Sequence, residues 1–141
     1  MADKTLLEDH KVFVYGSLKR GFHNHAHYLS EAEYLGTDIT EPAFTMYDYG
    51  SFPAIIPRGN TAIHGEVYKV DFKTLRRLDG LERHPNWYNR RLYNTKYGYA
   101  YLYEIPLVRV AEEKSAPPKS RVFIPEREVK SGIWQYPNKQ N

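Results

Sequence analysis

Four β-forming residues, Val12-Phe13-Val14-Tyr15, run straight into Gly16 and Ser17. The pattern predicts a buried strand over 11–15 that opens directly into a tight loop over 16–21. A loop of small residues at a strand end leaves backbone N–H groups pointing outward. Water, a neighbouring segment, a bound anion or a polarised carbonyl must satisfy them. Glycine at position 16 admits positive φ and lets a ligand approach the main chain closely. A plain strand-to-turn junction has the same local sequence. A second stretch, Leu78-Asp79-Gly80-Leu81-Glu82, is what turns the reading toward a catalytic site.

Gly16 and Gly21 have the spacing of a nucleotide P-loop, but Phe22-His23 follow where that motif needs Lys and then Ser or Thr. Without those groups neither phosphate nor Mg²⁺ is held, which excludes the nucleotide reading. The chain has 141 residues and no cysteine, so disulfides and thiolate-bound metals are excluded. Its net charge of +3 is spread among interspersed acids and bases, which suits an anionic substrate better than nucleic acid. Residues 1–10 form a polar lead-in to a single expected domain, 11–141. They contain no apolar run fit for a signal peptide, and no stretch is long enough to span a bilayer, so the expected location is cytoplasmic.

Along the chain, His23, His25 and His27 lack an acidic or thiolate companion, which favours loop or surface histidines over a metal site. Residues 44–49 read as a strand ending in a turn at Gly50-Ser51. The proline-flanked run 52–57 reads as an edge strand or short extended piece, with a turn at 58–60. A further strand is expected over 63–70, with Gly65 as a bulge or close-approach point.

Asp71 is a favoured N-cap, and Phe72, Leu75 and Leu78 recur at helical spacing among Lys73, Thr74, Arg76 and Arg77. If the coil persists, Glu82, seven residues after Leu75 and four after Leu78, projects from the buried face, and Asp79 leans the same way. A carboxylate at a helix C-terminus meets the negative end of the dipole. Burial and the dipole would both raise its pKa toward neutrality, where carboxylates exchange protons. The alternative is a surface acid paired with Arg83 or Arg76.

A hairpin is expected from 87–93 and 97–105 around Asn94–Lys96. Thirteen tyrosines are the oddest compositional feature, and Tyr97, Tyr99, Tyr101 and Tyr103 alternate there with Ala100 and Leu102 opposite. Such a stripe serves as half-buried core or a cavity wall, or as a base-stacking platform for single strands. Residues 110–120 read as a polar loop or linker and 122–124 as a short strand. Trp134, in the closing stretch 131–136, is expected to pack on the body.

Seven short motifs together resemble the gamma-glutamylcyclotransferase-like family, nearest its gamma-glutamylamine cyclotransferase branch. They are Val12–Gly21 with Asn24-His25, Phe52-Pro53-Ala54, His64-Gly65-Glu66-Val67-Tyr68, Leu78-Asp79-Gly80-Leu81-Glu82, Tyr88-Asn89-Arg90, Ala100-Tyr101-Leu102-Tyr103 and Ser131-Gly132-Ile133-Trp134. The resemblance implies an α+β fold, a small mixed β-barrel with flanking helices, and neither metal nor organic cofactor. By the match, Glu82 is the catalytic acid/base. Tyr15, Gly16, Ser17 and Leu18 bind the gamma-glutamyl part of the substrate through main-chain amides, with Tyr88 and Tyr103 as further substrate-binding residues. Two positions depart from the family pattern: Tyr101 replaces a tryptophan, and Ile133 replaces an aspartate.

The resulting expectation is release of 5-oxoproline from a small-molecule gamma-glutamyl amine or gamma-glutamyl amino acid, with no nucleic-acid or membrane partner. The alternatives are a non-catalytic binding or regulatory module on the same fold, or a nucleic-acid binder using the tyrosine face.

Overall fold

The computed structural model describes residues 9–135. Five strands form a mixed sheet: β1 (His10–Val14), β2 (Glu33–Ile39), β5 (His64–Val70), β6 (Asn89–Thr95) and β7 (Gly98–Glu104), in the order β2-β5-β1-β7-β6. The central strand β1 runs antiparallel to β5, with Phe13 opposite Val67, and parallel to β7, with Val12 opposite Tyr101. A separate two-stranded sheet pairs β3 (Phe44–Asp48) with β4 (Pro53–Thr61) and is tied to the end of β7 by the Ile105 amide donating to the Ile55 carbonyl at 2.8 Å. The sheet does not close: β2 and β6 are its edges, so the expected barrel is an open mixed sheet with a second ribbon across one end.

The apolar run of β1 is buried on both faces, as a strand covered on two sides requires. On one face Val12, Val14, Tyr68 and Val70 pack with Leu29, Leu75 and Leu78. On the other, Phe13, Val67, Ala100 and Leu102 pack with Phe44, Met46, Ile55 and Trp134. The predicted alternation in β7 is therefore real. Tyr101 and Tyr103 join the first face and Ala100 and Leu102 the second. Tyr99 is exposed and Tyr97 precedes the strand, donating to the Thr37 carbonyl at 3.3 Å. The stripe is thus mainly core rather than a stacking platform.

Helix α2 (Phe72–Leu81) covers the first face as its spacing predicts. Asp71 caps it, accepting from the Thr74 amide at 2.7 Å, and that bond holds its carboxyl below the ordinary value. Leu75 and Leu78 are fully buried. Truncating either to alanine would cost about 2–5 kcal/mol.

Several local expectations are corrected. The expected turn at 58–60 lies inside β4, where the pairing jumps from Phe44–Thr61 to Thr45–Ile56 and Gly59 takes φ 132°. Gly65 is a close-approach point rather than a bulge: a Cβ there would lie 2.6 Å from the Phe13 ring and the Val14 carbonyl. The bulge sits in β2, between Tyr34 and Gly36. Residues His25–Leu29 form the short helix α1, and Leu107–Glu113 form α3 where a loop was expected from 110. Residues 122–124 are not a strand; the Glu113 carboxylate instead accepts from the Val122 and Phe123 amides. Trp134 packs on the body, 1% exposed, while Tyr136 lies outside the described residues.

Candidate active site

At the end of β1 the chain leaves the sheet and folds into a compact loop. The Lys19 amide donates to the Gly16 carbonyl at 3.0 Å, and the Asn24 amide donates to the Ser17 carbonyl at 2.9 Å. The Asn24 side chain donates to Ser17 Oγ at 2.8 Å, and His25 Nδ1 lies 3.0 Å from the Leu18 carbonyl. The loop's carbonyls are thus engaged from within. Among the described residues, the amides of Gly16, Ser17 and Leu18 donate no hydrogen bond. Gly16 does not adopt positive φ. It is glycine because a Cβ would lie 2.6 Å from Cδ of Pro53.

Opposite this loop, α2 ends at Leu81, and Glu82 continues its last turn with φ −85° and ψ −1°, its amide donating to the Leu78 carbonyl at 2.9 Å. The coil persists far enough to aim Glu82 off the buried face. Among the described residues, no hydrogen bond or ion pair holds its carboxylate, so the alternative of a surface acid paired with Arg83 or Arg76 does not describe it. Desolvation in this half-buried position raises its pKa from 4.5 to about 8.

The two elements face one small cavity. It is lined by Tyr15, Gly16, Ser17, Leu18, Glu82, Tyr88 and Tyr103, together with Phe13, Val14, Phe52 and Pro53. All seven residues singled out in the sequence therefore meet in one place. The three tyrosines are anchored through their hydroxyls. Tyr15 donates to the Tyr103 carbonyl, Tyr88 to the Pro53 carbonyl at 2.5 Å, and Tyr103 to Asp79 Oδ1 at 2.7 Å. Burial raises all three phenol pKa values, and the nearby Glu82 charge adds to each, so the hydroxyls stay neutral.

Asp79 was not among the predicted site residues. It is buried behind Tyr103, with Arg90 Nε 3.5 Å from the same oxygen. Its only signal in the sequence is its position four residues after Leu75. The cavity adjoins, past Glu82, a larger vestibule lined by Ser17, His23, Asn24, Ser51, Phe52, Leu81, Glu82, Arg83, Trp87 and Tyr88. No spacing rule pointed to Arg83 or Trp87.

Comparison with known proteins agrees with this fold and gives the family. The model of a family described as gamma-glutamyl cyclotransferase, AIG2-like, matches residues 12–134. The chain belongs to that family, a class of enzymes of the gamma-glutamylcyclotransferase type. A Vibrio cholerae relative is 44% identical over 94 residues, covering 67% of this chain and 80% of its own length. The gamma-glutamylcyclotransferase family protein YtfP of Escherichia coli K12 is 40% identical over 93 residues, covering 66% of this chain and 80% of its own. The solution structure of Escherichia coli YtfP superimposes with a TM-score of 0.62 at 31% identity, covering 93% of this chain and 99% of that one. An uncharacterized Pyrococcus horikoshii protein gives 0.66 at 29% identity, covering 88% of each chain.

No described helix is long and apolar enough to cross a membrane.

Proposed function

We propose that the protein releases 5-oxoproline from a gamma-glutamyl amine or gamma-glutamyl amino acid, with Glu82 as general acid/base. The substrate carries its own nucleophile, so no enzyme nucleophile is needed. The α-amine nitrogen bonds to the γ-carbonyl carbon and the γ C–N bond breaks; the α-nitrogen gives up two protons in passing from ammonium to lactam N–H, and the departing nitrogen takes up both and leaves as an ammonium. Holding the glutamyl chain folded in a small cavity makes the attack intramolecular, where effective molarities are very large.

Glu82 takes one proton from the α-ammonium before the attack and returns it to the leaving nitrogen, and it carries the second proton, shed by the ring nitrogen as the lactam forms, by the same route to the freed amine. Its raised pKa of about 8 lies close to that of an α-amine, also about 8, so neither transfer is steeply uphill. The amides of Gly16, Ser17 and Leu18 bind the substrate carboxylate or the oxyanion that forms at the γ-carbon. In other enzymes one such donor is worth about 3–4 kcal/mol. Tyr88 and Tyr103 wall the cavity, and being neutral they add no charge to compete with Glu82.

The observation that carries this reading is a carboxylate that, among the described residues, has no hydrogen-bond or ion-pair partner and shares one cavity with three amides that donate to none of them. The test is a panel of gamma-glutamyl compounds assayed for 5-oxoproline, with the Glu82→Gln variant in parallel. Turnover by the parent and none by the variant, with binding preserved, supports it. Turnover by the variant removes Glu82 from the mechanism, and binding without turnover by the parent leaves a non-catalytic module.

A further inference from the structure

We propose that Arg83 selects the departing half of the substrate, and that this half carries a carboxylate on an apolar or aromatic body rather than a second cationic amine. The inference rests on the cyclotransferase reading and adds to it the chemistry of the leaving group. If the glutamyl half occupies the inner cavity against the loop amides, the leaving group must extend past Glu82 into the vestibule, because the two spaces share Ser17, Phe52, Glu82 and Tyr88.

Phe52, Trp87 and Tyr88 give the vestibule an aromatic part, beside the polar Ser17, His23, Asn24 and Ser51. Phe52 stacks on Tyr49 at 4.9 Å and 14°, and Tyr49 meets the edge of Trp87 at 6.0 Å. Flat apolar walls suit an apolar or aromatic body. The formal charge on those walls comes from Glu82, which the reaction uses, and from Arg83. Among the described residues no carboxylate pairs with Arg83.

Arg83 is also held in place. It has φ 53°, and the turn is closed by the Trp87 amide donating to the Arg83 carbonyl at 2.8 Å. Its guanidinium carbon lies 5.6 Å from the centre of the Trp87 ring. Arg109 approaches the same ring at 5.5 Å, but it is paired with Glu112 at 3.9 Å, which leaves Arg83 as the cation of this wall. A guanidinium is a planar fork of donors matched to a carboxylate. A cationic leaving group such as a diamine would meet like charge here, and among the described residues the lining holds no acid besides the one engaged in proton transfer.

A matched pair of substrates tests this: gamma-glutamyl-phenylalanine and gamma-glutamyl-phenethylamine, which differ only in the leaving group's carboxylate. The expected result is a kcat/KM about tenfold higher for the acid, the effect of one charge-assisted contact. The difference should appear mainly in KM, because the contact is made away from the reacting atoms. In Arg83→Gln the ratio should fall toward one, and Arg83→Lys should restore part of it. Equal or reversed preference in the parent, or a ratio that Arg83→Gln does not move, overturns the inference. Calorimetry of both compounds with Glu82→Gln separates the two claims. A binding preference that depends on Arg83 without 5-oxoproline release by the parent sinks the reaction and keeps the subsite. Binding of neither compound sinks both.

Discussion

The Tyr103 hydroxyl donates to Asp79 Oδ1 at 2.7 Å, which ties a wall of the cavity to the helix that ends in Glu82. Asp79 lies three residues before Glu82 and is buried. The bond therefore couples the position of the proton-carrying group to the strand end that faces it. Tyr103→Phe should cost about 1–3 kcal/mol, because the Asp79 carboxylate loses a buried donor and, among the described residues, keeps Arg90 alone. As a positioning effect it should lower kcat while leaving the acid limb of the pH profile with Glu82. Denaturant unfolding and a pH–rate series check both parts, and an unchanged kcat would limit Tyr103 to a structural role.

The pH dependence of turnover follows from Glu82 itself. It works as the base in its ionised form, and burial raises its pKa to about 8. For free enzyme, kcat/KM should rise about tenfold per pH unit well below that value and bend over near pH 8. A limb near pH 4–5 would mean that the working carboxylate is not desolvated.

The same group sets a stability trend with the opposite sense. Its folded pKa lies above its unfolded value of 4.5, so the unfolded state binds fewer protons between the two. Its contribution is fully present below about pH 4.5, falls as pH rises, and is lost above about pH 8. Glu82→Gln, which cannot ionise, should match the parent near pH 4 and melt several degrees higher near pH 9. Melting curves of both proteins across that range provide the measurement, and parallel curves would contradict the burial.

Gly16→Ala should damage activity more than stability. The added methyl would lie 2.6 Å from Pro53 Cδ, so loop and ribbon must part by several tenths of an ångström. The loop amides would then leave their places at the cavity. A drop in kcat/KM of at least about tenfold with a Tm shift of only a few degrees is expected. Unimpaired turnover would show that the loop's position is not critical.

Gly65→Ala is the contrasting case. Its Cβ would meet the Phe13 ring and the Val14 carbonyl, both at 2.6 Å, between the paired strands β1 and β5. Backbone cannot yield there as a flexible side chain does, so a loss of about 1–3 kcal/mol is expected, read by denaturant unfolding.

Local chemistry determined much of this protein. The β1 strand, the Asp71 cap, the Leu75 and Leu78 stripe, and the 89–104 hairpin follow from periods and propensities that act within a few residues. Arithmetic along one helix was enough to aim Glu82. The open sheet, the bulges of β2 and β4, and the short helices 25–29 and 107–113 were decided by packing between distant segments. The same is true of Gly16, whose glycine answers Pro53 rather than its own φ. No single segment carries that information. Asp79 shows the division most clearly: the sequence leaned it toward the core, but its partners, Tyr103 and Arg90, come from strands that only the folded sheet brings to it. The desolvation of Glu82 has the same origin, because the field at a carboxyl depends on everything that excludes water around it.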